Sequence, residues 1–256
     1  MRVRAPTAEH RVDMLDRRDI QTLMYCVRLA ESSGAWQQGT PARFPNQLEC
    51  KLAQLLRNPD VMEKVVAEMD ALAEAGGGVI TYQDLREVPW LESSIKETLR
   101  LHPPLILLLR LVVEGFDVEG YRVEPGKLVG ASIAVSNRLA DAFDDPDRFD
   151  PGRYLDPRHD DTDNPWNWIP FGAGRHRCVG AAFALMQLKT IFCVLLRDWE
   201  LTPDQPPETY RNDYSKMVVQ LAQPCRVRYR RRRADGIAAT IAIGDDADDE
   251  PGEDER

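Results

Sequence analysis

The sequence predicts a mainly α fold with small antiparallel β-sheets. Three observations carry that expectation. Apolar residues recur at helical spacing before Leu101 and again after Ala181. Between Leu105 and Val135 the apolar pattern is continuous or alternating and broken by Glu119-Gly120 and Pro125-Gly126, as in short strands joined by turns. Residues 136 to 170 are rich in Asp, Pro and Arg, which predicts a long irregular stretch between the two helical regions.

Taken in order, residues 1 to 45 are weakly organised, with one short helical candidate at Asp19 to Ala30, and are left unassigned. Leu48, Leu52, Leu55 and Leu56 share a helix face. Asn58-Pro59-Asp60 stops that helix and starts the next, because proline is accommodated in a first turn. Val61, Met62, Val65, Val66, Met69 and Leu72 line the new helix until Gly76-Gly77-Gly78. Thr81 to Leu85 reads as a short helix, and Pro89 to Leu101 as another, halted by His102-Pro103-Pro104. Leu105 to Val113 is expected to be a buried extended segment, followed by strands at Phe116 to Val123 and Leu128 to Val135. A helix spans Ala181 to Trp199, and Met217 to Leu221 with Val227 to Tyr229 look like a final pair of strands. A basic cluster ends at Arg233, and 234–256 read as an acidic disordered tail.

Composition narrows the function classes. With 256 residues, 43% hydrophobic, the chain can bury one substantial core. A net charge of -9 argues against nucleic acid as a partner. The five cysteines form no CxxC pair and no regular framework, which suits a reducing compartment. No apolar window is long enough to span a membrane and the start has no secretory pattern, so a cytoplasmic protein is expected.

The chemistry concentrates at Phe171-Gly172-Ala173-Gly174-Arg175-His176-Arg177-Cys178-Val179-Gly180. Glycines on both sides of Cys178 allow a folded-back loop and the close approach of a flat ligand. Helical periodicity begins just after the cysteine, so its sulfur is expected at a helix N-terminus, where unpaired amides stabilise a thiolate. Arg175, His176 and Arg177 add donors for an anionic group. A nucleophilic role for Cys178 would need an oriented base, and His176 has no evident orienter. Glu97 and Arg100 lie one helical turn apart, where an ordinary surface ion pair is the simplest expectation.

Phe171, Gly174, Cys178 and Gly180 match the loop Phe-x-x-Gly-x-x-x-Cys-x-Gly, and the chain resembles the cytochrome P450 family. That resemblance implies haem as cofactor, with Cys178 as the metal ligand and Arg110, Phe171, Gly172, Gly174, His176 and Gly180 around it. Arg110 and His176 would hold the propionates. It further implies that Glu97, Arg100 and Arg153 (within Phe149-Asp150-Pro151-Gly152-Arg153-Tyr154) form a structural network. His102-Pro103-Pro104-Leu105, Trp168 to Phe183 and Tyr210 to Gln220 are similar to the bacterial sterol 14α-demethylase branch, mycobacterial type. The implied reaction is oxidative removal of a sterol methyl group with O2 and electrons from a ferredoxin-type donor. Leu105, Ile106, Leu107, Met217 and Val218 would line the apolar substrate. The resemblance spans roughly residues 47 to 233 and implies the C-terminal half of that fold, incomplete on its N-terminal side. A second expectation follows: a truncated, non-catalytic haem-binding remnant lacking the distal oxygen-activating helix, since Trp36 to Pro45 carries prolines at 41 and 45.

Overall fold

The computed structural model describes residues 45–75, 81–163, 165–215, 218–222 and 227–232. The helical candidate at Asp19 to Ala30, the glycine run at 76–78 and the acidic tail lie outside the described residues.

Helix α1 (Pro45–Arg57) and helix α2 (Pro59–Ala75) meet at Asn58. The Asn58 side-chain amide donates to the Gln54 carbonyl at 2.8 Å, and its own carbonyl accepts the Val61 and Met62 amides. One residue thus closes one helix and opens the next, and Pro59 loses no hydrogen bond by its position. Helix α3 (Pro89–Leu101) also begins with proline, and its free N-terminal amides are met from outside. The Glu68 carboxylate on α2 accepts the Trp90 and Leu91 amides at 2.6 and 3.0 Å, placing negative charge where the helix dipole favours it.

Two short helices follow, α4 (Ile133–Ser136) and α5 (Asp160–Asp163), and then the long α6 (Ala181–Asp198). Leu55, Val65, Leu91, Ile95, Phe192 and Leu196, from α1, α2, α3 and α6, form one buried cluster. At about 25 cal/mol per Å² of apolar surface, this burial is the main stabilising contribution.

Among the described residues the strands form four separate antiparallel pairs. β1 (Leu108–Leu111) pairs with β4 (Leu128–Ala131), and β2 (Phe116–Val118) with β3 (Tyr121–Val123). The β2–β3 turn uses left-handed Glu119 and Gly120, at φ 48° and 79°, whose twist suits a two-residue hairpin. β5 (Trp199–Pro203) pairs with β8 (Val227–Arg231), and β6 (Asn212–Asp213) with β7 (Gln220–Leu221).

Several expectations change. Leu105 to Val113 is mostly exposed, with Val112 its one buried residue: only Leu108–Leu111 is strand, and Leu109, Leu111 and Val113 are 54%, 62% and 81% exposed. Continuous apolarity signals burial against something, and none of the described residues covers this face. The strand expected up to Val135 ends at Ala131. Ser132 turns it into α4 by accepting the Val135 amide on its hydroxyl. Thr81 to Leu85 yields only a 3₁₀ turn, Asp84–Arg86. The two last strands do not pair with one another, because α1 holds β6–β7 while β8 returns to the end of α6 beside β5. Arg228, Arg230 and Arg232 face Asp204, Glu200 and Asp70, so these arginines serve ion pairs within the fold.

Candidate functional site

The Cys178 loop is built from short backbone hydrogen bonds. The Gly172 amide donates to the Ile169 carbonyl at 2.9 Å, and a 3₁₀ turn runs from Gly174 to His176. The Cys178 amide donates to the Phe171 carbonyl at 2.8 Å, and the Cys178 carbonyl accepts the Ala181 amide that opens α6 at 3.3 Å. Gly172 and Gly174 sit at φ 73° and 60°, a region that side chains rarely adopt, so these reversals require glycine. A Cβ on Gly172 would stand 3.7 Å from Leu108 Cδ1, which places β1 against the loop.

Cys178 is exposed, and so are Val179 and Phe183 beside it. A Cβ on Gly180 would lie 3.8 Å from the Cys178 Sγ, so that glycine keeps the sulfur's flank low. Cys193 is the opposite case. Burial pushes its thiol up to about 12, and it packs as an inert core residue.

Behind the loop lies a buried ionic network, not a surface pair. Glu97 Oε1 accepts from Arg100 Nη2 at 2.8 Å, the Asp150 amide at 3.0 Å and Arg153 Nε at 3.2 Å. Glu97 Oε2 accepts from Arg100 Nε at 2.8 Å and the Tyr154 hydroxyl at 2.9 Å. Arg100 donates onward to the carbonyls of Asn137, Pro146 and Arg148, and Arg153 to that of Asp145. Burial opposes the Arg100 charge, but the hydrogen bonds and charge of Glu97 outweigh it and raise its pKa. Burial, reinforced by Glu97, pushes the Tyr154 phenol well above its ordinary value, so it remains a donor. α3 thereby pins the whole irregular stretch from Asn137 to Tyr154.

The same helix reaches the loop. The Trp168 indole Nε1 donates to the Lys96 carbonyl at 3.2 Å. Its ring meets Tyr154 and Phe171 edge-on, with centroids 6.4 and 6.2 Å away. The Ile169 amide lies 3.4 Å from Asn137 Oδ1, and Asn137 in turn donates to the Arg100 carbonyl. Sequence patterns pointed to Glu97, Arg100 and Arg153 but overlooked Tyr154, Asn137, Asp150 and Trp168. Only the adjacency of Tyr154 to Arg153, and of Trp168 to the loop, offered a signal.

Arg110 is exposed on β1 and bonds the Leu109 carbonyl, and His176 is exposed in the 3₁₀ turn. Leu105, Ile106 and Leu107 are 40%, 39% and 45% exposed. The Val219 amide donates to the Pro104 carbonyl, which brings half-buried Val218 towards them. Met217 lies outside the described residues. Among the described residues no group of three or more His, Cys, Asp or Glu converges on one point, so Cys178 stands as a single sulfur donor.

Fold and site together define a protein that presents a solvent-facing cysteine ahead of a long helix, on a loop backed by a buried Glu–Arg–Arg network. The chain belongs to the cytochrome P450 family, whose profile matches residues 46–228. It is 56% identical over 184 residues to a sterol 14alpha-demethylase of Mycolicibacterium vanbaalenii, covering 72% of this chain and 40% of that protein. A sterol 14alpha-demethylase of Mycobacterium bovis is 58% identical over 181 residues, covering 71% and 40%. A sterol 14-demethylase of Arabidopsis thaliana is 38% identical over 188 residues, covering 71% and 38%. The chain thus spans about two-fifths of the length of the curated relatives it matches. Family membership implies haem as cofactor. Among the described residues no helix is long and apolar enough to cross a membrane.

Proposed function

We propose that this chain supplies the proximal, thiolate-bearing side of a haem monooxygenase that removes the 14α-methyl group of a sterol. The observation that carries the reading is exposed Cys178 at the mouth of α6, on a loop reversed at left-handed Gly172 and Gly174, with Gly180 beside the sulfur. The residues fit a flat, apolar macrocycle: the sulfur is flanked by exposed Val179 and Phe183, with β1 packed on the same loop. Bound haem would supply activation of O2, with the thiolate pushing electron density onto the iron.

The chain's own residues would bind and orient. Cys178 would ligate the iron, with Phe171, Gly172, Gly174 and Gly180 shaping the cradle. Arg110 and His176 would pair with propionates, the guanidinium suiting a carboxylate well. Leu105, Ile106, Leu107, Met217 and Val218 would exclude water from one side of an apolar substrate. A ferredoxin-type protein would deliver electrons. Glu97, Arg100 and Arg153 would act only through the loop they hold in place.

The deciding experiment is the carbon monoxide spectrum of the reduced, haem-loaded chain. A red-shifted Soret band marks a thiolate ligand, and Cys178→Ser should abolish it. Loading without that band would sink the assignment. A second reading, haem binding without turnover, is favoured by the open apolar face of Leu105, Ile106, Leu107 and β1 among the described residues. An oxidant-activating site open to water loses the dry environment that catalysis needs. Demethylated product formed from a 14α-methyl sterol with ferredoxin, its reductase and NADPH would exclude that second reading.

A further inference from the structure

We propose that Trp168 is the positioning residue that ties the Cys178 loop to α3, so that the buried network and the sulfur move as one body. This rests on the haem-thiolate reading above for its consequence, though not for its geometry. The indole has two attachments. Its N–H donates to the Lys96 carbonyl, a helical carbonyl already serving α3 that has a second lone pair to offer. Its ring stands edge-on between Tyr154, which donates to Glu97, and Phe171, whose carbonyl receives the Cys178 amide. A partly buried indole is suited to this seam because it packs an apolar body while its polar edge finds an acceptor.

The tip of the loop has little direct polar purchase on α3. Arg175, His176, Arg177 and Cys178 are all exposed. Among the described residues the other polar tether is the long Ile169–Asn137 contact at 3.4 Å, and Phe171 adds apolar packing on the cluster that holds Leu91, Ile95 and Leu99 of α3. Removing the indole N–H should therefore let the loop swing while leaving the Glu97 network intact.

The test is amide hydrogen exchange on the full chain with Trp168→Phe and Trp168→Tyr, which keep an aromatic ring and lose the indole N–H. Exchange at the Cys178 and Gly172 amides should quicken about fivefold, the equilibrium worth of one net hydrogen bond. The Leu99 amide within α3 should keep its wild-type rate. In the haem-loaded, reduced, carbon monoxide form, the thiolate band should give way in part to a shorter-wavelength band. Unchanged exchange at Cys178, or equal acceleration at Leu99, would overturn the proposal. A wild-type protein that loads haem without any thiolate band would instead overturn the haem-thiolate reading. The exchange comparison on haem-free protein would still decide the role of Trp168.

Discussion

Lowering the pH should unlatch α1 from the end of α3 through a single imidazole. His102 closes α3, and its Nδ1 pairs with Asn212 Oδ1 at 2.8 Å while its Nε2 meets the Gln54 side-chain amide. The neutral ring fits both: Nδ1–H donates and Nε2 accepts. Burial lowers its pKa from 6.5 to about 4; the bond to Asn212 opposes that shift, and the charges of Arg138, Arg57 and Arg100 add to it. A depressed value means that stability is full above 6.5 and is lost as pH falls through about 4. Each pH unit inside that window is worth about 1.4 kcal/mol, so about 2 kcal/mol is lost between neutral pH and pH 5. Glu68, whose carboxyl burial raises, works in the opposite sense, while the depressed Glu92 and Asp150 add to the loss. The measurement is therefore a difference. Urea denaturation of wild type and His102→Gln from pH 8 to pH 4.5 should show their stability gap shrinking by about 2 kcal/mol by pH 5. A gap independent of pH would refute the reasoning.

Three other expectations follow from the same structure. Glu97→Gln leaves two buried guanidiniums without their carboxylate and should cost about 3–5 kcal/mol in chemical denaturation. Lys51 is fully buried with an Nζ that has no hydrogen-bond partner, and burial lowers its pKa well below the ordinary lysine value. The Phe149 ring 5.8 Å away favours the charge too weakly to compete. Lys51→Met should thus stabilise the protein at neutral pH. That advantage should shrink by about 1.4 kcal/mol per pH unit across the alkaline range where only the unfolded lysine is charged. Cys178→Ser should change the unfolding free energy by less than about 0.5 kcal/mol, because the side chain is exposed, while abolishing the thiolate spectrum.

Much of the fold was legible because its signals are local. Pro89 and the His102-Pro103-Pro104 stop bound α3 as expected, and Asn58-Pro59 separates α1 from α2, since capping and proline geometry act within a turn. The Glu119-Gly120 hairpin was legible for the same reason. Partnerships between distant segments were not. Nothing local says that β8 joins β5 and not β7, or that Leu105 to Leu111 lies exposed, because both depend on what packs nearby.

The amino-acid sequence alone determined that Cys178 sits on a glycine-bounded loop at the entrance of a helix, since glycine placement and helical periodicity are properties of neighbouring residues. Tertiary structure alone decided what stands behind that cysteine. Glu97 and Arg100 read as a surface pair by spacing, yet Arg153, Tyr154 and the Asp150 amide arrive from more than fifty residues away to bury them. A desolvated carboxylate keeps its charge where donors from several segments meet it, and that convergence is visible only once the chain has folded.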